Sequence, residues 1–169
     1  MLFDINNKKL AINGGNPVRN KEWLDNFTTS ELDKKAMLSA FDSGYLSKFE
    51  GSFTPDEPFS FYGGPFVQEL ESKWASCHEA KHAVSMNSAT SAIYAAFGAL
   101  KIGFGDEVIV PAITMTACAI GLMQYGAIPI FADVEYGTGS ICPVSIAKLI
   151  TPRTKAILVV HLYGYPANM

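Results

Sequence analysis

Positions 87–91, with the sequence Asn-Ser-Ala-Thr-Ser, have the composition of an anion-binding turn. They lie between an apolar run at residues 82–86 and a helical pattern that begins near Ser91. Small side chains let backbone N–H groups approach an anion, hydroxyls add hydrogen bonds, and a helix N-terminus carries partial positive charge. The turn therefore predicts a phosphate site. The same residue types also cap helices, so a purely structural role for Ser88 and Thr90 stays open.

Motifs for other kinds of catalysis do not occur in the sequence. There is no Gly-x-x-x-x-Gly-Lys, and Gly103-Phe104-Gly105 precedes a predicted strand, so neither a P-loop nor a dinucleotide site is predicted. No Gly-x-Ser-x-Gly elbow is present. Asp106 and Glu107 are interpreted as solvated turn residues at a strand edge. No metal site is predicted, because the three cysteines are widely spaced and no Cys-x-x-Cys pair occurs.

The segments around the turn alternate between strand and helix. Continuous apolar runs predict strands, and helical periodicity predicts helices between them. Strands are predicted at residues 82–86, 107–110, 128–132 and 156–160, and helices at 91–101, 116–125 and 144–150. Because the strands do not alternate between apolar and polar residues, they predict a mostly parallel sheet with helices on both faces, an α/β fold. Ligands bind at the carboxyl edge of such sheets.

The first part of the chain differs from the rest. Residues 1–26 are polar and interrupted by glycine and proline, which predicts an irregular arm. A capping pattern predicts a short amphipathic helix within residues 30–44. The stretch 45–65 is rich in glycine, proline and aromatic residues, which is typical of a long loop. The sequence therefore predicts an arm, helix and loop over 1–64 and a separate α/β domain over 65–169.

Composition excludes several function classes. With 169 residues, of which 49% are hydrophobic, the chain can bury one sizeable core. Its formal net charge is -3 without blocks of like charge, so no nucleic-acid partner is predicted. The apolar runs are shorter than the roughly 20 residues that cross a bilayer, and the N-terminus lacks an apolar signal segment. We therefore expect a cytoplasmic protein without a membrane partner.

Several motifs follow one another in an order that resembles one enzyme family. They are Gly63-Gly64-Pro65, the turn at 87–91, Gly105-Asp106-Glu107-Val108-Ile109-Val110-Pro111, Gly126-Ala127-Ile128-Pro129-Ile130-Phe131-Ala132-Asp133-Val134, Thr151-Pro152-Arg153-Thr154-Lys155-Ala156 and Val160-His161-Leu162-Tyr163-Gly164. In this succession the sequence is similar to the DegT/StrS sugar aminotransferases. The resemblance covers about residues 63–169. It implies the first part of the large domain of an enzyme with the aspartate-aminotransferase fold (fold type I).

The resemblance also implies a site for pyridoxal 5′-phosphate (PLP). Ala89 and Thr90, next to Ser88, would hold the cofactor phosphate at the start of the helix. Met115 would lie where the family carries an aromatic residue that stacks on the pyridine ring, and a thioether also packs against aromatic faces. His161 would lie near the ring with no contact assigned. The family's ring-nitrogen aspartate and Schiff-base lysine would follow residue 169, so no catalytic residue is assigned in this chain.

By the same resemblance, the expected reaction is PLP-dependent transfer of an amino group from glutamate to a keto sugar nucleotide or a related cyclitol. Family members are homodimers, so a homodimer is expected, with residues 49–62 at the site or the dimer contact. The chain ends just after a predicted strand and lacks the lysine, so it is expected to be a fragment that is inactive alone. Two alternatives stay open: a sugar-nucleotide dehydratase of the same fold, and a truncated inactive product.

Overall fold

The structure of the chain is a computed structural model that describes residues 9–23, 27–44 and 63–169. Residues 45–62 of the predicted aromatic-rich loop, with the contacts suggested for residues 49–62, lie outside the described residues. The chain divides into two units, residues 1–64 and 65–169.

In the described residues of the first unit, an α-helix, α1, spans Glu31–Asp42. Ser30 caps it, because the Ser30 Oγ accepts the Asp33 N–H at 3.4 Å and the Asp33 carboxylate accepts the Ser30 N–H at 2.6 Å. Hydrogen bonds from the Ser30 side chain and backbone hold the pKa of Asp33 below its ordinary value. The predicted capped helix is confirmed. Before it, the arm forms a 3-10 turn over Ala11–Asn13.

The second unit is built on a parallel sheet of three strands. They are β1 (Glu107–Pro111), β2 (Ile128–Ala132) and β3 (Thr154–Ile157), in the order β2-β1-β3. In register, Ile109 of β1 lies between Ile130 and Ile157. Every residue of β1 is buried, whereas β2 and β3 are partly exposed along their length. The parallel sheet is confirmed, and the prediction of strands buried on both faces is right for β1 alone.

Helices cover both faces of this sheet. The second unit has four α-helices, α2 (Pro65–Cys77), α3 (Ala89–Ala99), α4 (Ala117–Met123) and α5 (Pro143–Leu149), and the last three pack against the sheet. On one face, Val108 packs with Phe97 of α3 and Leu122 of α4. On the other face, Ile109 packs with Ile146 of α5. Alternate residues of β1 therefore face opposite helical layers, which confirms the predicted α/β architecture.

The strand predicted at residues 82–86 does not form within the described part of the chain. The segment is mostly exposed and lies against α2, where Ser85 donates its N–H and its hydroxyl to Glu71 Oε1 at 2.7 and 2.9 Å. Val84 and Met86 line an apolar groove with Trp74 of α2. A strand exists only when its backbone pairs with another strand, and the described sheet offers no partner at this position. The apolar pattern of residues 82–86 is therefore not sufficient to form a strand.

Candidate functional site

Ser88 begins α3, in the turn that the sequence singles out. Its backbone is extended (φ -162°, ψ 158°), and its Oγ accepts the Ser91 N–H at 3.1 Å. The Ser88 carbonyl accepts the Ala92 N–H at 3.1 Å and closes the first turn. The helix therefore begins two residues before the predicted start, and Ser88 performs the capping role that the sequence left open.

The two residues after Ser88 leave hydrogen-bond donors unused. The N–H groups of Ala89 and Thr90 and the Thr90 hydroxyl have no partner among the described residues. Ala89 is exposed and Thr90 is half-buried. Because α3 is 11 residues long, this end also carries the positive end of a helix dipole. One turn thus offers two amides and a hydroxyl to an anion such as a phosphate ester.

The start of α3 lies at the carboxyl edge of the sheet. The turn after α3 is closed by hydrogen bonds from Ile102 N–H to Phe97 O and from Asp106 N–H to Gly103 O, and β1 then begins. Because this connection is short and both elements contribute to one hydrophobic cluster, α3 and β1 must run in opposite directions. The first residue of α3 is therefore at the end where β1 finishes. This is the edge at which parallel sheets bind ligands.

Met115 lies in the connection between β1 and α4, at the same edge. Its side chain is 67% exposed. Its carbonyl accepts the Cys118 N–H at 3.2 Å, and the Thr114 Oγ1 lies 3.7 Å from the Cys118 Sγ, which ties the connection to α4. A largely exposed thioether on a fixed backbone can pack against an aromatic ring that approaches from solvent.

His161 follows β3 and is held by a backbone contact that the sequence does not indicate. The Ala167 N–H donates to the His161 Nδ1 at 3.0 Å, and Ala167 is buried. Between them, Tyr163 has a left-handed backbone (φ 54°) and a fully exposed side chain. Parallel pairing of β3 with β1 places the end of both strands at one edge. His161 and Met115 therefore both lie at the carboxyl edge of the sheet.

At the opposite edge of the sheet, where the strands begin, a carboxylate is buried and fully hydrogen-bonded. Glu107, at the start of β1, is 3% exposed, and its Oε2 accepts the Thr151 hydroxyl at 2.5 Å. Its Oε1 accepts Arg153 Nε at 2.8 Å and forms an ion pair with the same guanidinium. The hydrogen bonds from Thr151 and Arg153 hold the pKa of Glu107 below its ordinary value, against the effect of burial. The interpretation of Glu107 as a solvated turn residue is therefore wrong.

Other groups with chemical potential are dispersed. Within residues 9–23, 27–44 and 63–169, no three side chains of the types His, Cys, Asp or Glu are grouped as a metal site. Cys77, Cys118 and Cys142 are free thiols. In that same part of the chain, no helix combines the length and the apolar character needed to span a membrane.

Comparison with known proteins identifies one family. Residues 56–169 match the DegT/DnrJ/EryC1/StrS aminotransferase family. The spore coat polysaccharide biosynthesis protein SpsC of Bacillus subtilis (strain 168) is 40% identical over 133 residues, which cover 79% of this chain and 30% of that protein. L-glutamine:2-deoxy-scyllo-inosose aminotransferase of Micromonospora echinospora is 32% identical over 160 residues, or 95% of this chain and 36% of that protein. The chain thus spans about a third of the length of these relatives.

A solved structure also has this fold. It is the E coli GDP-4-keto-6-deoxy-D-mannose-3-dehydratase with bound hydrated PLP, which is 30% identical in sequence. The similarity covers 86% of this chain and 35% of that enzyme, with a TM-score of 0.71. The described helices and sheet are therefore part of the same fold, as the resemblance implied.

Proposed function

The chain belongs to the DegT/DnrJ/EryC1/StrS aminotransferase family, and on that premise we propose that the complete protein transfers an amino group to the keto group of a sugar nucleotide or a cyclitol, with PLP as cofactor. The amino donor is glutamate or glutamine, and glutamine appears in the name of the Micromonospora relative. The E coli enzyme is named for a GDP-linked keto sugar and was solved with hydrated PLP. Both names support the substrate class.

The unused donors at the start of α3 carry this proposal. Their chemistry fits a phosphate ester, because two free amides, a free hydroxyl and a helix dipole all stabilise negative charge. Ala89 and Thr90 would donate their N–H groups to the cofactor phosphate, and the Thr90 hydroxyl would add a third bond. Ser88 would keep the turn in shape through Ser91. When bound, PLP would supply the electron sink for exchange of the amino group.

Met115 would position the ring of the cofactor. Its exposed side chain lies at the same sheet edge as the phosphate donors, so a bound ring would cover apolar area that solvent now contacts. A thioether adapts its shape to an aromatic face but does not stack as an aromatic side chain does. We therefore expect Met115 to hold the ring more loosely than Phe or Trp would at this position.

The proposal extends to the organisation of the complete protein. Residues 65–169 would form the first part of the PLP-binding large domain, after an N-terminal arm over 1–64. The family resemblance supports a cytoplasmic homodimer in which the lysine and aspartate of the reaction would follow residue 169. Within this chain, Ala89, Thr90 and Met115 would bind and orient the cofactor.

A second candidate function is removal of water from a sugar nucleotide. The observation in its favour is the likeness to the E coli dehydratase, at 30% identity and a TM-score of 0.71. The phosphate donors at Ala89 and Thr90 serve either reaction equally. The two functions would therefore differ in residues other than these phosphate donors.

The test uses the complete reading frame that encodes this chain, purified with and without PLP. The absorbance spectrum of bound cofactor should change when glutamate or glutamine is added, and a keto sugar nucleotide should then gain nitrogen, measured by mass spectrometry. A product that has lost oxygen without gaining nitrogen would favour the dehydratase. If the protein neither binds PLP nor converts the sugar nucleotide, the proposal is contradicted. The remaining alternative would then be a truncated, inactive protein.

A further inference from the structure

The imidazole of His161 is fixed through one of its two nitrogens. The Nδ1 accepts the Ala167 N–H at 3.0 Å, and Ala167 is 7% exposed, so the donor belongs to a buried part of the chain. A nitrogen that accepts a hydrogen bond carries no proton. In the neutral ring the proton is therefore on Nε2, and the contact with Ala167 sets both the tautomer and the ring orientation.

The Nε2–H is a donor without an acceptor in the described part of the chain. The His161 side chain is exposed, so this donor is open to solvent. It follows β3, which pairs in parallel with β1, and β1 leads to Met115. The donor therefore lies at the edge that also presents the free amides of Ala89 and Thr90.

The turn that carries His161 has an unfavourable backbone. Tyr163 has φ 54°, a conformation that costs energy for a residue with a side chain, and Gly164 follows with φ 80°. The Tyr163 side chain is 99% exposed, so packing of that side chain does not explain the conformation. The strained turn instead returns the chain to Ala167, the donor that fixes the imidazole.

We propose that His161 binds the ligand of this edge, by donating its Nε2–H to an anionic oxygen. This inference rests on the proposed function. An exposed N–H that donates to water can donate to a ligand instead, and hydrogen bonds to charged oxygens are stronger than those to neutral ones. Two sources have this chemistry: the phenolic oxygen of the cofactor ring and the carboxylate of the amino donor. The free amides at the start of α3 account for the phosphate, so His161 contacts a different oxygen.

Two variants separate this role from a purely structural one. In His161→Asn, the amide oxygen takes the place of Nδ1, so the contact with Ala167 is kept and the outer donor is lost. In His161→Gln, the amide nitrogen takes the place of Nε2, so the outer donor is kept and the inner acceptor is lost. The complete protein is titrated with PLP, and then with glutamate at saturating PLP, and thermal unfolding of each variant is recorded.

We expect His161→Asn to unfold at the wild-type temperature but to bind about tenfold more weakly, the effect of losing one hydrogen bond to a charged group. His161→Gln should bind like the wild type. Weaker binding of PLP itself identifies the cofactor oxygen, and weaker binding of glutamate alone identifies the carboxylate. Wild-type affinity of His161→Asn in both titrations would overturn the inference, as would a loss confined to His161→Gln.

A measurement on the wild-type protein decides the case in which the variants do not fold or lose affinity alike. Deuterium exchange at the C2 carbon of histidine rings is followed by peptide mass spectrometry, with His78 and His82 as internal controls. Ligand should slow exchange at His161 alone, and equal rates with and without ligand would reject the role. If the wild type binds no PLP, the proposed function fails, and this inference fails with it.

Discussion

The two ends of the parallel sheet differ in how their polar groups are used. At the amino end, both oxygens of the buried Glu107 carboxylate accept hydrogen bonds, from Thr151 and from Arg153. At the carboxyl end, the amides of Ala89 and Thr90 have no partner among the described residues. The polar groups at the amino end are satisfied by other residues of the chain, whereas those at the carboxyl end are exposed to solvent.

This difference separates stability from binding. A buried polar group that has its partners supports the fold, and its loss leaves a partner unsatisfied. A polar group at the surface without a partner adds little to the fold but is available to a ligand. Substitutions that remove a bonded polar group at the amino end should therefore change stability alone, and substitutions that remove a free donor at the carboxyl end should change affinity for the ligand alone.

The largest effect is expected from Arg153→Met. It leaves the Glu107 carboxylate buried without its cation, which should lower the midpoint of thermal unfolding by about 5–10 °C. Affinity for PLP should not change. Calorimetry and a PLP titration of the complete protein measure both. The control is Lys155→Met, which removes an exposed cation two residues further along the chain, in β3, and should leave the midpoint unchanged. An equal drop in the control, or a loss of PLP affinity, would break the comparison.

The second effect is a loss of cofactor affinity in Ala89→Pro. Proline is tolerated at the first position of a helix, as Pro143 shows in α5, and the extended backbone of Ser88 suits a residue before proline. The variant removes one free N–H and should bind PLP about 10- to 100-fold more weakly with an unchanged unfolding midpoint. Ala89→Ser, which keeps the amide, is the control. Wild-type affinity in the proline variant would rule out this amide as a phosphate donor.

The third prediction concerns acid. Because the pKa of Glu107 in the folded state lies below its ordinary value of 4.5, the carboxylate stabilises the fold above that pH. The contribution is lost as the pH falls through the folded-state pKa. The stability difference between the wild type and Glu107→Gln should therefore shrink below pH 4.5, measured by urea unfolding at a series of pH values. A difference that stays constant with falling pH would contradict this account.

The smallest effect is expected from Tyr163→Gly at the carboxyl end. Glycine adopts a positive φ without strain, so the variant should gain about 0.5 kcal/mol of stability. The looser turn should also slightly weaken binding of the ligand that His161 contacts, PLP or glutamate, because the turn holds His161. Glu79→Gly is matched to it, since Glu79 also has a positive φ of 51° but follows α2. If both variants changed binding equally, the strain at Tyr163 would have no connection with the ligand edge.

The central part of the fold was predictable from the sequence. Residues 82–86 show that an apolar run alone does not predict a strand. Both β1 and residues 82–86 are short apolar runs between helices. The run at β1 became a strand because two neighbouring strands pair with it on either side. Residues 82–86 have no such neighbour in the described part of the chain. Pairing is a long-range property, which a local apolar pattern does not contain.

The candidate site was predictable in part for the same reason. The turn at Ser88 is local, so small residues before a helical pattern identified it, and the family resemblance is confirmed by the match over residues 56–169. The Glu107 carboxylate and the His161 imidazole depend on distant residues, Arg153 and Ala167. Of these partners, the Thr-Pro-Arg motif was visible in the sequence, but its contact with Glu107 was not.

The strand order β2-β1-β3 has a consequence for where new specificity can arise. The chain moves from β1 to one side and then crosses to the other side, so β1 is a topological switch point. In parallel sheets, the connections that leave a switch point diverge and form a crevice between them. This crevice depends on the strand order and not on which residues line it. Residues of the connection around Met115 can therefore vary while the strand order keeps the two connections apart.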